Sequence, residues 1–235
     1  MTTPSPHNPL AAFTLEQTLP EPLPADPFPT LAAWLDEARQ RKTQPNPNAF
    51  ALATADAAGT PAVRVVLCKG LNAEPQGGYF VFYTNYHSAK SRQLDANPRA
   101  AAVMHWDHLG RQVRIEGPVV KSPIEESDAY FASRPLDSKL GAWASDQSQP
   151  IASRDELLDR VVEMLARFNV SLDDPEAADV PRPPHWGGYR LWAEHVELWV
   201  HGPGRVHDRA RWSRKLVPVE GGFTPDAWSS TRLQP

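Results

Sequence analysis

Apolar residues recur along the chain with two different periods, and the change from one to the other divides it into predicted elements. Leu31, Trp34, Leu35 and Ala38 are spaced three or four apart, which predicts a helix over residues 30–41 with one apolar face. From Phe50 the period becomes two. Residues 50–55, 62–69 and 78–84 alternate as strands do, and the turns at Ala58-Gly59 and Gln76-Gly77-Gly78 predict an antiparallel meander. A short helix over residues 88–96 stops at Asn97-Pro98, since the residue before proline is driven out of the α region. Strands over residues 100–106 and 111–120 then flank a turn at Asp107-His-Leu-Gly110.

Two helix starts carry capping sequences. Ser122-Pro-Ile-Glu125 offers a hydroxyl cap, a proline at the first helical position and a carboxylate at the third, and predicts a helix to Arg134, ended by Pro135. Ser153-Arg-Asp-Glu156 repeats the pattern ahead of a helix bearing Leu157, Leu158, Val161, Val162, Leu165 and Phe168. Strands resume over residues 188–192, 195–201 and 205–216. The succession predicts an α+β fold, mainly antiparallel β with flanking helices. A proline-rich N-terminal arm over residues 1–29 precedes a single domain over residues 30–235.

Composition sharpens two of these points. Ten of the 25 prolines precede Phe50, where fixed φ and missing N–H groups oppose helix and sheet, so the arm either stays disordered or packs along another surface. With 24 Lys and Arg against 28 Asp and Glu the net charge is −4, which argues against a sequence-independent grip on nucleic acid or an anionic membrane. Any anionic ligand must therefore meet a local site. No run reaches the ~18 apolar residues of a membrane span, and the first residues lack the basic start and apolar run of a signal peptide. Cys68 is the one cysteine, so the expectation is a soluble, cytoplasmic protein without internal disulfides.

Several groups of residues are candidates for chemistry. If Arg205-Val-His-Asp-Arg209 is a strand, Arg205, His207 and Arg209 share one face. That face is either the solvated outside of an edge strand or a pocket for phosphate or carboxylate. Tyr130 and Arg134, four apart on one helix face, with Ser138 beyond, suit phosphate oxygens; Arg134 alone also reads as a charge favourable to a helix C-terminus. Lys69 closes an apolar strand. Asn85-Tyr-His-Ser-Ala-Lys90 passes from strand into helix, where free N–H groups and Lys90 suit an anion, while Ser88 also reads as a plain N-cap. The eight histidines include neither an HxxxH helix pair nor a Cys/His set, so no metal is expected, and Cys68 reads as packing.

Many short segments occur in a shared order: Leu23-Pro-Ala-Asp-Pro27, Arg64-Val-Val-Leu-Cys-Lys69, Phe82-Tyr-Thr-Asn85, Arg111-Gln-Val113, Tyr130-Phe-Ala-Ser-Arg-Pro135, Asp137-Ser138, Gly141-Ala-Trp143, Gln147-Ser148, Trp186-Gly-Gly188, Arg205-Val-His-Asp-Arg209 and Arg232-Leu-Gln-Pro235. Together they resemble the pyridoxine/pyridoxamine 5′-phosphate oxidase family. The resemblance implies an FMN-binding split β-barrel and a homodimer with FMN at its interface. It implies oxidation of pyridoxamine 5′-phosphate or pyridoxine 5′-phosphate to pyridoxal 5′-phosphate, with O2 reduced to hydrogen peroxide. FMN contacts are then expected from Arg64, Val65, Val66, Leu67, Lys69, Tyr83, Thr84, Lys90, Gln112, Gln147, Ser148, Trp186 and Arg209. Lys69, Tyr130, Arg134 and Ser138 would hold the substrate phosphate, with Arg205 and His207 as catalytic residues over its ring. Family members commonly carry arginine where this chain has Ala89. Another flavoenzyme of this fold, or a carrier of FMN or pyridoxal 5′-phosphate without turnover, are the alternatives.

Overall fold

A computed structural model describes residues 13–42, 44–74, 76–171, 173–174 and 178–235. Its first half contains α1 (Phe28–Arg41), β1 (Ala49–Ala55), β2 (Pro61–Leu67), β3 (Gly70–Asn72), β4 (Tyr79–Asn85), α2 (Ala89–Ala96), β5 (Arg99–Trp106) and β6 (Arg111–Lys121). Three helices follow, α3 (Ile124–Ala132), α4 (Leu136–Ala144) and α5 (Arg154–Arg167). The chain ends with β7 (Trp186–Trp192), β8 (His195–Val200), β9 (Asp208–Ser213), β10 (Leu216–Val219), β11 (Gly222–Pro225) and β12 (Ser229–Leu233).

All pairings are antiparallel, as the mainly antiparallel α+β expectation requires. One sheet runs β2-β1-β5-β6-β8-β9-β12, and a second branch, β7-β4-β3, leaves it from β6. The branch point is Gly117-Pro118: Glu116 lies opposite His195 of β8, whereas Val119 lies opposite Leu191 of β7. A Cβ on Gly117 would sit 1.9 Å from the Trp192 carbonyl oxygen, so only glycine lets the two branches meet. A second corner joins β2 to β3. The Cys68 N–H donates to the Asn48 carbonyl (2.9 Å), and the next N–H, of Lys69, donates across to the Val81 carbonyl of β4 (2.8 Å). The two corners curl the strands into a barrel filled by Phe50, Leu52, Phe80, Phe82, Met104, Trp106, Ile115 and Leu191. Phe50 meets Phe80 and Phe82 edge-on, with centroids 6.1 and 6.0 Å apart.

Beyond β6 the inner side of β8 and β9 shares this core with Leu31, Leu35 and Ala38 of α1. Register also defines the opposite, outward face. One row crosses seven strands as Val65, Ala51, Val103, Arg114, Glu197, Arg211 and Thr231. Its β2 end is apolar and bare, Val63 and Val65 being 69% and 70% exposed, while its β6–β9 end is charged.

The structure corrects the expected elements in several places. The meander breaks after β2, because the chain crosses to β4 through the short β3. Ser122 does not cap α3: its N–H joins the Gly188 carbonyl (2.9 Å), which turns its hydroxyl inward without a partner, and Pro123 becomes the N-cap. That helix ends at Ala132, two residues short of Arg134, and α4 follows where no helix was expected. The predicted cap at Ser153 is present, with Ser153 Oγ accepting from the Glu156 N–H (3.0 Å), while the Glu156 carboxylate reaches one residue further back and accepts from the Ala152 N–H (3.2 Å). Leu158 and Val162 of α5 remain exposed. Residues 205–207 are a turn, not a strand, since Pro203–Arg205 forms a 3-10 turn and β9 begins only at Asp208. The described part of the arm packs against the sheet: Gln17 accepts from Arg111 (2.6 Å), the Leu19 N–H donates to Asp208 (2.7 Å), and Trp212 donates to the Pro24 carbonyl (2.8 Å). Residues 1–12 of the arm lie outside the described residues.

Replacing Gly117 by alanine is expected to lower unfolding free energy by about 2 kcal/mol or more, because the obstacle is backbone that cannot rotate away. Gly141→Ala, which meets nothing within 4 Å inside α4, should be neutral or slightly stabilising. Denaturant midpoints measure both, and equal midpoints would contradict the branch-point role of Gly117.

Candidate active site

The Cys68-Lys69 corner and the start of α2 converge on a cavity of about 330 Å³. Arg64, Val65, Val66, Leu67 and Lys69 enter from β2 and its corner, Tyr83 and Thr84 from β4, and Lys90 from α2. Tyr130, Arg134, Gln147 and Trp186 complete the lining. Four of these residues are cationic and none is a carboxylate. The helix-face argument for Tyr130 and Arg134 fails, because Arg134 lies beyond α3; the turn that carries its N–H to the Phe131 carbonyl (3.1 Å) brings both to the cavity instead.

Lys90 is placed by the start of α2, where Ser88 is the N-cap. It is only 8% exposed, and its Nζ donates to Thr84 Oγ1 (2.9 Å), Gln147 Oε1 (2.8 Å) and Ser88 Oγ (3.3 Å), all neutral acceptors. Burial, reinforced by the charge of Arg64, brings its pKa down to about 8. Arg64 is fixed by the Leu52 carbonyl (3.0 Å), Thr54 Oγ1 (2.6 Å) and Gln93 Oε1 (3.0 Å), and burial depresses its pKa as well. Arg134 stacks over Trp186, its Cζ 4.6 Å from the ring centroid, and its buried Nη1 has no hydrogen-bond partner among the described residues. The rings of Tyr83, Tyr130 and Trp186 lie nearly parallel in one cluster, with centroids 4.0 Å (Tyr83–Tyr130), 5.4 Å (Tyr83–Trp186) and 6.2 Å (Tyr130–Trp186) apart, and Lys69 lies 5.9 Å from the Tyr130 centroid. Burial and the nearby Glu126 push the Tyr83 hydroxyl up, so it stays a donor.

Ser138 faces an adjoining cavity of about 270 Å³ that shares Arg134, Gln147 and Trp186 with the first. Arg92, one turn after Ala89, is exposed and donates to the His87 carbonyl.

Gln112, Ser148, Arg205, His207 and Arg209 line neither cavity. Ser148 is an exposed loop residue with φ +70°. Gln112 and Arg209 flank Trp199 in register on the outward sheet face, whereas Arg64, paired with Leu52, points to the other face of β2. Arg205 stands in the preceding turn with φ +65°. His207 accepts the Gly202 N–H on Nδ1 (3.1 Å), which leaves Nε2 to carry the proton of the neutral ring. Partial burial, then the charges of His201, Arg205 and Arg209, hold its pKa below the usual histidine range. Trp199, 4.5 Å from the His207 ring, was not singled out from the sequence; two-residue alternation from His195 is the signal that places it beside Arg209.

The donor set tests well against a phosphorylated flavin. A buried lysine without a carboxylate and an arginine with a bare buried nitrogen both lack an anion, and stacked aromatics suit a planar ring. Among the described residues no helix is long and apolar enough to cross a membrane.

A family model described as pyridoxamine 5′-phosphate oxidase matches residues 36–168, and one described as pyridoxine 5′-phosphate oxidase C-terminal dimerisation region matches residues 186–235. A pyridoxine/pyridoxamine 5′-phosphate oxidase from Paraburkholderia phytofirmans is 49% identical over 210 residues, 89% of this chain and 89% of its own. Its counterpart in Cereibacter sphaeroides is 46% identical over 211 residues, 89% of this chain and 95% of its own. Among solved structures, PhzG from Burkholderia lata in complex with tetrahydrophenazine-1-carboxylic acid is similar at TM-score 0.78 and 29% identity, covering 94% of this chain and 99% of that one. A pyridoxamine 5′-phosphate oxidase-related, FMN-binding protein from Nostoc punctiforme shares the fold at TM-score 0.62 and 18% identity, over 88% of this chain and 96% of that one. With its barrel-forming and C-terminal segments both matched, and near half of its residues shared with these relatives over most of its length, the chain belongs to the pyridoxine/pyridoxamine 5′-phosphate oxidase family.

Proposed function

We propose that the protein oxidises pyridoxamine 5′-phosphate or pyridoxine 5′-phosphate to pyridoxal 5′-phosphate, with FMN as cofactor and O2 as final acceptor, giving hydrogen peroxide. The observation that carries this is the cavity's uncompensated charge: Arg64, Lys69, Lys90 and Arg134 without one lining carboxylate. Two phosphate groups, one on the cofactor and one on the substrate, are the counter-charges such a set lacks.

Arg64 and Lys90, with Thr84 and Gln147, hold the FMN phosphate; Val65, Val66, Leu67, Tyr83 and Trp186, with Ser148 from the adjoining loop, bound the rest of the cofactor. When bound, FMN supplies the acceptor for the two electrons leaving the substrate C4′ carbon. Lys69, Tyr130, Arg134 and Ser138 anchor the substrate phosphate and so fix the distance of C4′ from the cofactor. Arg205 clamps the substrate ring and polarises the C4′ substituent, and His207 orients the ring hydroxyl through its Nε2 proton.

Gln112, Arg205, His207 and Arg209 complete the site of a second copy, in a homodimer with FMN at the interface. Three observations support this. Gln112 and Arg209 lie on the outward sheet face, opposite to the face of β2 that carries Arg64, and Arg205 and His207 stand in the turn next to Arg209. Arg205, His207 and Arg209 fall within the segment matched by the dimerisation-region model. The outward face that bears Gln112 and Arg209 also carries the bare Val63 and Val65. A net charge of −4 over the whole chain suits a cytoplasmic protein with neither nucleic acid nor membrane as partner, and residues 30–235 act as one domain with the arm laid on it.

The purified protein should show a flavin spectrum and form aldehyde and peroxide from either substrate; a colourless protein, or a yellow one inert to both, would overturn the proposal. Arg205→Leu is expected to lower kcat/KM about 100-fold while flavin content holds. In mixed dimers, co-expressing Arg134→Ala with Arg205→Leu should recover about a quarter of wild-type activity, since random pairing leaves one intact site in half of the dimers; no recovery would place both residues in one copy. FMN affinity of the apoprotein should fall as pH rises above about 8, because the phosphate favours protonated Lys90, whose pKa is about 8 without it. Lys90→Met should abolish that slope, and fluorescence titrations would show whether it does.

A further inference from the structure

Glu197 is a carboxylate in the middle of β8, 6% exposed, whose register neighbours are Arg114 and Arg211. It does not treat its basic neighbours equally. One oxygen, Oε1, accepts both Nε (3.0 Å) and Nη2 (2.8 Å) of Arg209, which stands diagonally across on β9. The other accepts Arg114 Nη1 at 3.2 Å. Arg209 is gripped from a second side as well, where its Nη1 donates to the main-chain carbonyl of Gln234 (2.9 Å), the penultimate residue. Three of the five guanidinium N–H groups are thus spoken for, and the plane of the group is fixed. The other two N–H groups have no partner among the described residues, and Trp199 is the neighbour of Arg209 in register. The carboxylate does not neutralise the cluster: Arg114, Arg209 and Arg211 against Glu116 and Glu197 leave one net positive charge on this patch.

We propose that Glu197 and the Gln234 carbonyl form a clamp that aims Arg209 at the FMN of the neighbouring copy, which makes Glu197 a positioning residue for cofactor binding. This rests on Arg209 being an FMN contact, as proposed above. A long arginine on a sheet face otherwise samples many rotamers, and fixing it beforehand removes that cost from cofactor binding. Burial of Glu197 is what makes the clamp stiff, since no water competes for its oxygens.

The test is FMN titration of the apoprotein by fluorescence quenching, for wild type, Glu197→Gln, Arg209→Met and the double variant. Glu197→Gln keeps the shape and removes the charge, and FMN Kd should rise about tenfold. In the Arg209→Met background the same change should have no further effect, because its target is gone. If Arg209→Met leaves FMN Kd unchanged, the underlying assignment of Arg209 fails. If Arg209→Met weakens FMN but Glu197→Gln does not, or if the Glu197→Gln effect persists undiminished in the double variant, the clamp is wrong and Glu197 is structural. Removing residues 234–235 releases Nη1 without burying an unpaired charge, and should raise FMN Kd severalfold only when Arg209 is present. Should Glu197→Gln fail to fold, that deletion decides alone: unchanged FMN affinity overturns the clamp.

Discussion

One strand serving two sheets is the constraint on which the molecule turns. β6 pairs with β8 up to Glu116 and with β7 from Val119, and the switch is possible only where the Trp192 carbonyl can press against a residue without a Cβ. From that switch follow both the barrel, closed through β7 and β4, and the open extension through β8, β9 and β12. The barrel's corner at Cys68-Lys69 and the start of α2 produce the cavity, while the extension carries Trp199 and Arg209 on its outward face. A single copy therefore presents its cationic residues in two places that it cannot bring together. On the proposed reading, the division of labour between copies follows from the topology before it is a property of any residue.

Charge distribution distinguishes cations that hold the protein together from those reserved for a ligand. Arg190 lies 2.6 Å from Glu126, Arg232 pairs with Glu21 and Asp208, and Arg182 lies 2.6 Å from Asp128. In the cavity Lys90 donates to hydroxyl and amide oxygens, and burial together with the charge of Arg64 holds its pKa at about 8. Burying a cation without a partner costs stability, so such a residue is tolerated where an incoming anion offsets the cost. The overall charge of −4 conceals this, since it averages over a surface whose acidic residues are kept away from the cavity lining.

Much of this was legible in the sequence, and the failures share a physical cause. Hairpin strands, the Asn97-Pro98 stop and the Ser153 cap are decided by neighbours a few residues away, and all are present. Ser122 carries the same capping signal, yet a tertiary bond to Gly188 outcompetes it. Alternation through Arg205-Val-His-Asp-Arg209 suggested a strand, but the Gly202-Pro-Gly204 turn extends two residues further and re-aims Arg205. The cavity's lining was nearly complete in the resemblance, whereas its separation from Gln112 and Arg209 depends on which face of a curled sheet each strand presents. Trp199 was passed over because an aromatic in an apolar strand reads as core until its register with Arg209 is known.

The proline-rich arm acquires a purpose from where it lies. Arg205 occupies the left-handed region at φ +65°, which costs a residue with a Cβ about 1 kcal/mol or more unless its surroundings hold it there. Its turn is held from within by the Gly202 N–H to His207 and the Val206 N–H to the Pro203 carbonyl (3.1 Å each). It is also held from outside, where Phe13 of the arm lies so close that a Cβ on Gly204 would be 2.8 Å from its ring. Further along, Leu19 and Arg232 both bind Asp208, so the arm and the C-terminal strand meet beside the turn. A segment able to pair as a strand would have extended the sheet edge at β12; proline prevents that and leaves the arm free to cross the strand ends instead. Pro20, Pro22, Pro24 and Pro27 are thus a means of keeping a covering segment out of the sheet it covers.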